Sequence, residues 1–401
     1  MIRIGIIREG KVPQDARVPL TPKQAAALAA EPDVDVVVQA SPHRCYRDEE
    51  YKALGLRLVE DVSDRDILLG VKEVPIPELQ AGKTHFFFSH TIKAQPYNRG
   101  LLRAVLAQDI RLVDWETLTD DAGKRVIAFG RWAGIVGAHN ALWSWGIRTG
   151  TYSLDRAMES HDYAALRAVY GATTFPSFRA VVTGGGRVAQ GAWELLDAAG
   201  IRRISPADFL AGSYASEPVY TTLDCPELYA RRSDGGFEWS EFFDQPSAYE
   251  GRFAPYAKAA DIMINAVYWD PAAPVFFTRD EMADPGFRIR GIADITCDIE
   301  GSVPSTVRAT TIADPLYGWE LDRQTEIEAV SGDRVVTVMS IDNLPNELPR
   351  DASEAFGEQF VSQVWPSLKR GVSDPMIDRA SIAVDGLLNT PYAYLADYVK
   401  D

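Results

Sequence analysis

The stretch "FRAVVTGGGRVAQGAWELLDAAGIRRIS", Phe178–Ser205, decides the fold. Ala180–Thr183 is rich in β-branched residues, three glycines follow at once, and an apolar pattern at helical spacing runs on to Ala199. The segment satisfies G-x-G-x-x-A between a strand and a helix, the context in which a glycine run becomes a phosphate-binding turn. Gly184 permits the tight turn, Gly186 lets the backbone approach a pyrophosphate, and Ala189 allows close helix packing. The N–H groups that open the helix, at Arg187 and Val188, then face the anion.

The choice of dinucleotide is read about 20 residues further on, at the end of the second strand. Ser205 stands there in place of a ribose-binding carboxylate, and Asp208 comes slightly late. Arg187, Arg202 and Arg203 lie close by in sequence. A missing acid beside arginines leans toward the 2′-phosphate of NADP, with NAD as the alternative; taken singly, each arginine is as readily a solvated surface charge. Later strands of the same sheet end in Asn265, in "INAVYWD", and Asp294, in "IADITCD". Both are expected near a nicotinamide, and Asp294 also near the substrate. Cys297 has no histidine nearby in sequence and reads as a small buried residue.

Short apolar runs alternate with helical patterns in the first third: Ile2–Ile7, Val34–Val38, Ile67–Val71, His85–Ser89 and Ile110–Asp114. Such alternation predicts parallel strands with crossover helices. Thr21-Pro22-Lys23-Gln24 is a helix start, with Thr as cap, Pro at the first helical position and Gln completing a capping box. Trp132–Gly150 reads as a buried helix bridging two domains, and Ala352–Lys369 as an amphipathic one. The expected fold is therefore α/β: two Rossmann-like, doubly wound parallel-sheet domains separated by a cleft. Residues 1–135 with about 342–401 would form a substrate domain, and 136–341 a dinucleotide-binding domain.

In the first domain three successive strands end in ionisable groups. Lys72 and Glu73 follow the run Ile67–Val71, His90 follows "FFFS", and "IRLVDWE" ends in Asp114 and Glu116. Carboxyl ends of adjacent parallel strands share one edge, the usual ligand site of such sheets. Each residue alone reads equally as a loop charge or turn residue; the joint placement is the argument. His85, on the other side of the phenylalanines, reads as structural, and His139 as packed or facing the cleft.

A chain of 401 residues is long enough for two domains, and its net charge of −16 with no dense basic cluster argues against nucleic acid. Cys45, Cys225 and Cys297 form no C-x-x-C pair, which fits a reducing compartment and excludes a zinc ribbon; no metal is expected. No apolar run approaches the roughly 20 residues needed to cross a bilayer. A cytoplasmic protein acting on small molecules is expected, with no membrane partner; oligomeric state cannot be read.

The motifs "IREGKVPQDARVPLTP", "ILLGVKEVP", "FFFSHTIKAQ", "IRLVDWE", "GKRVIAFGRWAG", "VVTGGGRVAQGA", "IADITCDIEGS" and "SIDNLPNELPRDASEAFG" together carry a resemblance. The chain resembles the lysine-ketoglutarate reductase and L-lysine-forming saccharopine dehydrogenase family, within the alanine dehydrogenase-like superfamily, from Ile2 to about Lys369. The resemblance implies condensation of the ε-amine of lysine with 2-oxoglutarate and reduction of the imine by NAD(P)H to saccharopine, or the reverse. It implies Lys72 and His90 as acid–base groups, Glu73 and Glu116 as their modulators, and Arg17 and Arg125 as carboxylate-binding residues. The bifunctional relatives continue into a second dehydrogenase domain, so the expectation is a free-standing reductase. The alternatives are an opine-type or other amino-acid dehydrogenase with a different amine or oxo acid, and a non-catalytic nucleotide-binding sensor.

Overall fold

The computed structural model describes residues 1–212 and 216–400. The chain forms two compact units, the first made of residues 1–129 and 349–401, the second of residues 130–348.

The first unit is built on one eight-stranded sheet. Its order is Leu387–Leu388, Ser381–Val384, Arg111–Asp114, Thr84–Phe87, Ile67–Leu69, Ile2–Ile6, Val34–Gln39, Arg57–Val59. From Arg111–Asp114 to Arg57–Val59 every pairing is parallel. Strands buried on both faces read as unbroken apolar runs, and Ile67–Leu69 and Thr84–Phe87 are buried at every position. Thr21 caps the helix Pro22–Ala29, and the Gln24 side chain closes the box by accepting from the Thr21 N–H at 2.9 Å. The helix Pro349–Gln359 returns to this unit and delivers Phe356, which stacks on Phe129 at 4.5 Å between ring centroids.

The second unit carries another eight-stranded sheet. Its order is Thr325–Ile327, Leu316–Glu320, Val335–Met339, Gly291–Asp294, Ile262–Asn265, Arg179–Thr183, Val219–Leu223, Arg202–Arg203. The six strands from Val335–Met339 onward are parallel. The buried helix Gly130–Thr149 belongs to this unit, where it crosses the helix Arg187–Ala198. The backbones meet there: a Cβ on Gly134 would fall 1.9 Å from the Val188 carbonyl oxygen, and one on Gly191 would fall 2.0 Å from that of Arg131.

The α/β class with two Rossmann-like sheets holds, with two corrections. Each sheet is mixed, because two antiparallel strands close one edge of each. The second concerns the order beside the glycine turn. The strand following its helix, Arg202–Arg203, is the sheet edge, and Val219–Leu223 lies between it and Arg179–Thr183. Ser205 therefore does not end the glycine strand's neighbour. It caps the helix Pro206–Ala211, its hydroxyl accepting from the Asp208 N–H at 3.1 Å.

Candidate active site

In the first unit the carboxyl ends of four neighbouring parallel strands lie on one edge. Phe86 and Phe87 are wholly buried, and Phe88 packs between Phe129 and Phe356 at 6.0 and 6.1 Å. This anchoring fixes the turn that carries His90. Asp114, fully buried on the next strand, accepts from the Ser89 N–H at 2.8 Å, the Ser89 hydroxyl at 2.5 Å and the Glu116 N–H at 2.7 Å. Burial raises the pKa of its carboxyl. His90 itself holds a left-handed backbone, φ 51°, a conformation a non-glycine residue keeps only where its surroundings impose it.

The His90 ring stacks on Phe88, centroids 6.2 Å apart and planes 14° from parallel, while its Nδ1 meets Glu73 Oε1 at 2.7 Å. The other Glu73 oxygen accepts from Lys11 Nζ at 2.7 Å. Burial works to raise the Glu73 carboxyl, but His90 and Lys11 outweigh it and hold the pKa at about 2. An ionised Glu73 accepts the Nδ1 proton of His90 and leaves Nε2 as the ring nitrogen turned to exchange.

Lys72 precedes Glu73. Burial first, then the nearby Arg17 and Lys11 cations, lower its pKa to about 8, against Asp15 and Glu73. Its backbone is held by Glu9, at the end of the strand Ile2–Ile6, whose two carboxylate oxygens accept the Val71 and Lys72 N–H groups at 2.6 and 2.8 Å. Burial and the neighbouring Asp15 raise Glu9 to about 8, against those two donors. Glu9, Lys11 and Asp15 were missed in the sequence. Their signal was available, since "IREGKVPQD" leaves a strand of the same sheet at the same edge.

Arg17 and Arg125 flank this group in different states. Arg17 is buried; its Nε and Nη2 grip both oxygens of Asp15 at 2.9 and 2.6 Å, and its guanidinium lies 4.3 Å from the Phe129 ring centre. The planar face expected to clamp a substrate carboxylate is thus already engaged by Asp15. Arg125 is half-exposed, 5.5 Å above the Phe88 ring on which His90 also stacks, with Glu116 Oε1 at 3.9 Å.

In the second unit Gly184 follows the strand Arg179–Thr183 with φ 94°, where a Cβ would fall 2.9 Å from the Ala266 carbonyl oxygen. Gly186 caps the helix Arg187–Ala198, and a Cβ there would meet nothing within 4 Å, so the approach to the Arg187 and Val188 N–H groups is open. Ala189 is fully buried. The residues present suit a dinucleotide: open space before a 12-residue helix whose first N–H groups are unsatisfied by the helix itself.

Asn265 and Asp294 end adjacent strands beside this turn, but as buried side chains bonded to their neighbours. Asn265 accepts from Thr183 Oγ1 at 2.7 Å and donates to Asp294 Oδ1 at 2.9 Å. Asp294 also accepts from Thr296 Oγ1 at 2.7 Å and Thr306 Oγ1 at 2.6 Å, and burial raises its pKa. Both side chains are buried, and together they brace the strand ends. Cys297 is shielded with a strongly raised pKa, owing to burial. His139 is buried between the Tyr170 hydroxyl at 2.7 Å and the Asp155 carbonyl at 2.8 Å. No group of metal-binding side chains occurs among the described residues.

These elements define an α/β protein of two Rossmann-like units, one bearing a cluster of titratable groups and the other a glycine turn. Residues 5–136 match the alanine dehydrogenase/PNT N-terminal domain. The chain is homologous to the alpha-aminoadipic semialdehyde synthases and to the L-lysine-forming saccharopine dehydrogenases, as its motifs suggested. It is 32% identical to the mitochondrial alpha-aminoadipic semialdehyde synthase of Bos taurus, over 95% of this chain and 46% of that protein. It therefore spans about half the length of those relatives. Identity to the saccharopine dehydrogenase [NAD(+), L-lysine-forming] of Emericella nidulans is 27%, over 88% of this chain and 89% of that one. Among solved structures an L-alanine dehydrogenase shares the fold, with a TM-score of 0.65 at 17% identity and 99% coverage of both chains.

Proposed function

We propose that the chain is a nicotinamide-dinucleotide-dependent oxidoreductase of the CH–NH class, which condenses L-lysine with 2-oxoglutarate to saccharopine or runs the reverse reaction. The first unit is the substrate domain in this reading and the second binds NAD or NADP. The observation that carries it is the chain of contacts Lys11–Glu73–His90 beside a Lys72 whose pKa is about 8.

The chemistry needs those groups. The ε-amine of lysine has an ordinary pKa near 10.4, so a base must take its proton before it attacks a ketone. Lys72, neutral above about pH 8, is such a base. Loss of water from the resulting carbinolamine needs a proton delivered to the departing hydroxyl. His90, oriented by Glu73 through Nδ1, carries a proton at Nε2 from the attacking nitrogen to the oxygen, and the proton that Lys72 took is returned so that the hydroxyl leaves as water. A nicotinamide dinucleotide held at the glycine turn would supply the hydride that reduces the imine to a secondary amine. Arg125, half-exposed beside the histidine, is the candidate partner for a substrate carboxylate, bound through its planar fork. Glu116, 3.9 Å from Arg125, modulates that charge. The free thiols of Cys45, Cys225 and Cys297 fit a cytosolic setting.

The test is saccharopine formation from L-lysine, 2-oxoglutarate and reduced dinucleotide, followed by nicotinamide absorbance. Lys72→Met and His90→Gln are each expected to cut turnover by about 10²–10⁴-fold while leaving dinucleotide affinity near its original value. Wild-type activity in both variants would overturn the assignment; turnover with another amine or oxo acid and none with lysine would move the chain to the opine-type branch.

A further inference from the structure

The reading of the second unit as a dinucleotide site leaves open which dinucleotide, and the strand order bears on it. In a Rossmann sheet the ribose-recognising acid ends the strand next to the glycine strand. Here that neighbour is Val219–Leu223, paired in parallel with Thr183 opposite Leu223, and the Gly184 N–H donates to the Leu223 carbonyl at 2.7 Å. The next residue is Asp224.

Its carboxylate lies against the glycine turn: a Cβ on Gly185 would fall 2.1 Å from Asp224 Oδ2. The middle glycine therefore has a reason of its own, since any side chain there would displace the acid. The acid is also fixed. Its Oδ1 accepts the Cys225 N–H at 2.9 Å, and the Glu227 carboxylate accepts the Asp224 N–H at 3.0 Å in a capping box. A carboxylate has about four acceptor positions, so it retains capacity for hydroxyl donors.

The arginines that favoured a phosphate in the sequence are engaged elsewhere. Arg202 pairs with Glu217 at 2.7 Å on the edge strand. Arg203 lies 4.4 Å over the Trp193 ring and donates to Thr222 Oγ1 at 2.7 Å. Arg187 alone of the three stands at the glycine turn, exposed at the start of its helix.

We propose that Asp224 accepts the adenosine ribose hydroxyls of the bound dinucleotide and makes this chain selective for NAD(H) over NADP(H). This rests on the dinucleotide reading above and deepens it. A diol donates two hydrogen bonds to a carboxylate; a 2′-phosphate removes one donor and brings a like charge against the acid.

The test uses the full chain and direct binding. Affinities for NADH and NADPH are read by nucleotide fluorescence, and those for ADP-ribose and its 2′-phosphate by calorimetry. NADH is expected to bind at least about tenfold more tightly than NADPH, with the same ordering for the two ADP-riboses. Asp224→Asn retains a good helix cap, so its melting temperature should match wild type, while the preference falls to within about threefold. Tighter binding of NADPH, or a preference unchanged in Asp224→Asn, overturns the proposal. An NADPH preference abolished by Arg187→Ala would assign selectivity to that arginine instead. Failure of every nucleotide to bind would remove the dinucleotide reading itself, and the selectivity with it.

Discussion

Lys72 is shielded from water and faced by Arg17 and Lys11, so its protonated form is held in the folded chain at a cost in stability. Its folded pKa of about 8 lies below the ordinary 10.5. Below pH 8 both folded and unfolded chains carry the proton, and the full penalty applies. Between 8 and 10.5 the unfolded chain binds the extra proton, so stability rises with pH across that window. Lys72→Met should accordingly stabilise the protein at pH 7 by about 1–3 kcal/mol in denaturant unfolding while it removes turnover. For the wild type, kcat/KM should climb with pH and level off above about 8 if the neutral amine is the base. Glu73, at about 2, stays ionised throughout that range. Glu73→Gln should lower turnover by about 10–100-fold, because His90 loses the partner that fixes its tautomer.

Among the elements, the crossing of Gly130–Thr149 with Arg187–Ala198 is sensitive to a single carbon. Gly191→Ala drives a Cβ into the Arg131 carbonyl, backbone against backbone, and is expected to cost about 1–3 kcal/mol, seen as a lowered melting temperature. The same crossing marks what the sequence made legible. Strands buried on both faces, and the ionisable residues that end them, follow from unbroken apolar runs such as Ile67–Leu69 and Thr84–Phe87. The glycine turn was legible because a strand and a helix flank it. Asp224 was not, because the edge strand Arg202–Arg203 and the helix Pro206–Ala211 come first along the chain and put the acid far beyond the usual spacing, so distance along the chain gave the wrong residue. The hairpin Ser381–Val384 to Leu387–Leu388 did carry a local signal. Asp385-Gly386 is a two-residue turn with φ 49° and 74°, the type that joins antiparallel strands. The sequence singled out Arg17 and Asp294 but does not show that the one is met by Asp15 and the other by two threonines.

At the scale of the molecule the first unit is discontinuous, while the second is one unbroken run of residues 130–348. A fragment of residues 130–348 is expected to fold alone and keep nucleotide binding, measured by melting and by NADH fluorescence. A fragment of residues 1–129 lacks Phe356 and Phe360, both against Trp115, and lacks the strand Ser381–Val384 that pairs beside Arg111–Asp114. It should show no cooperative melting transition.

This order has a consequence for biosynthesis. Translation runs from one end only, so the opening 129 residues leave the ribosome long before the segment that completes their core, and the middle of the chain can finish first. Trp115 and the phenylalanines beneath His90 then wait, uncovered, through the making of everything between. A nascent chain stalled near residue 348 should be a strong client for chaperones, and release of the last residues should end that dependence.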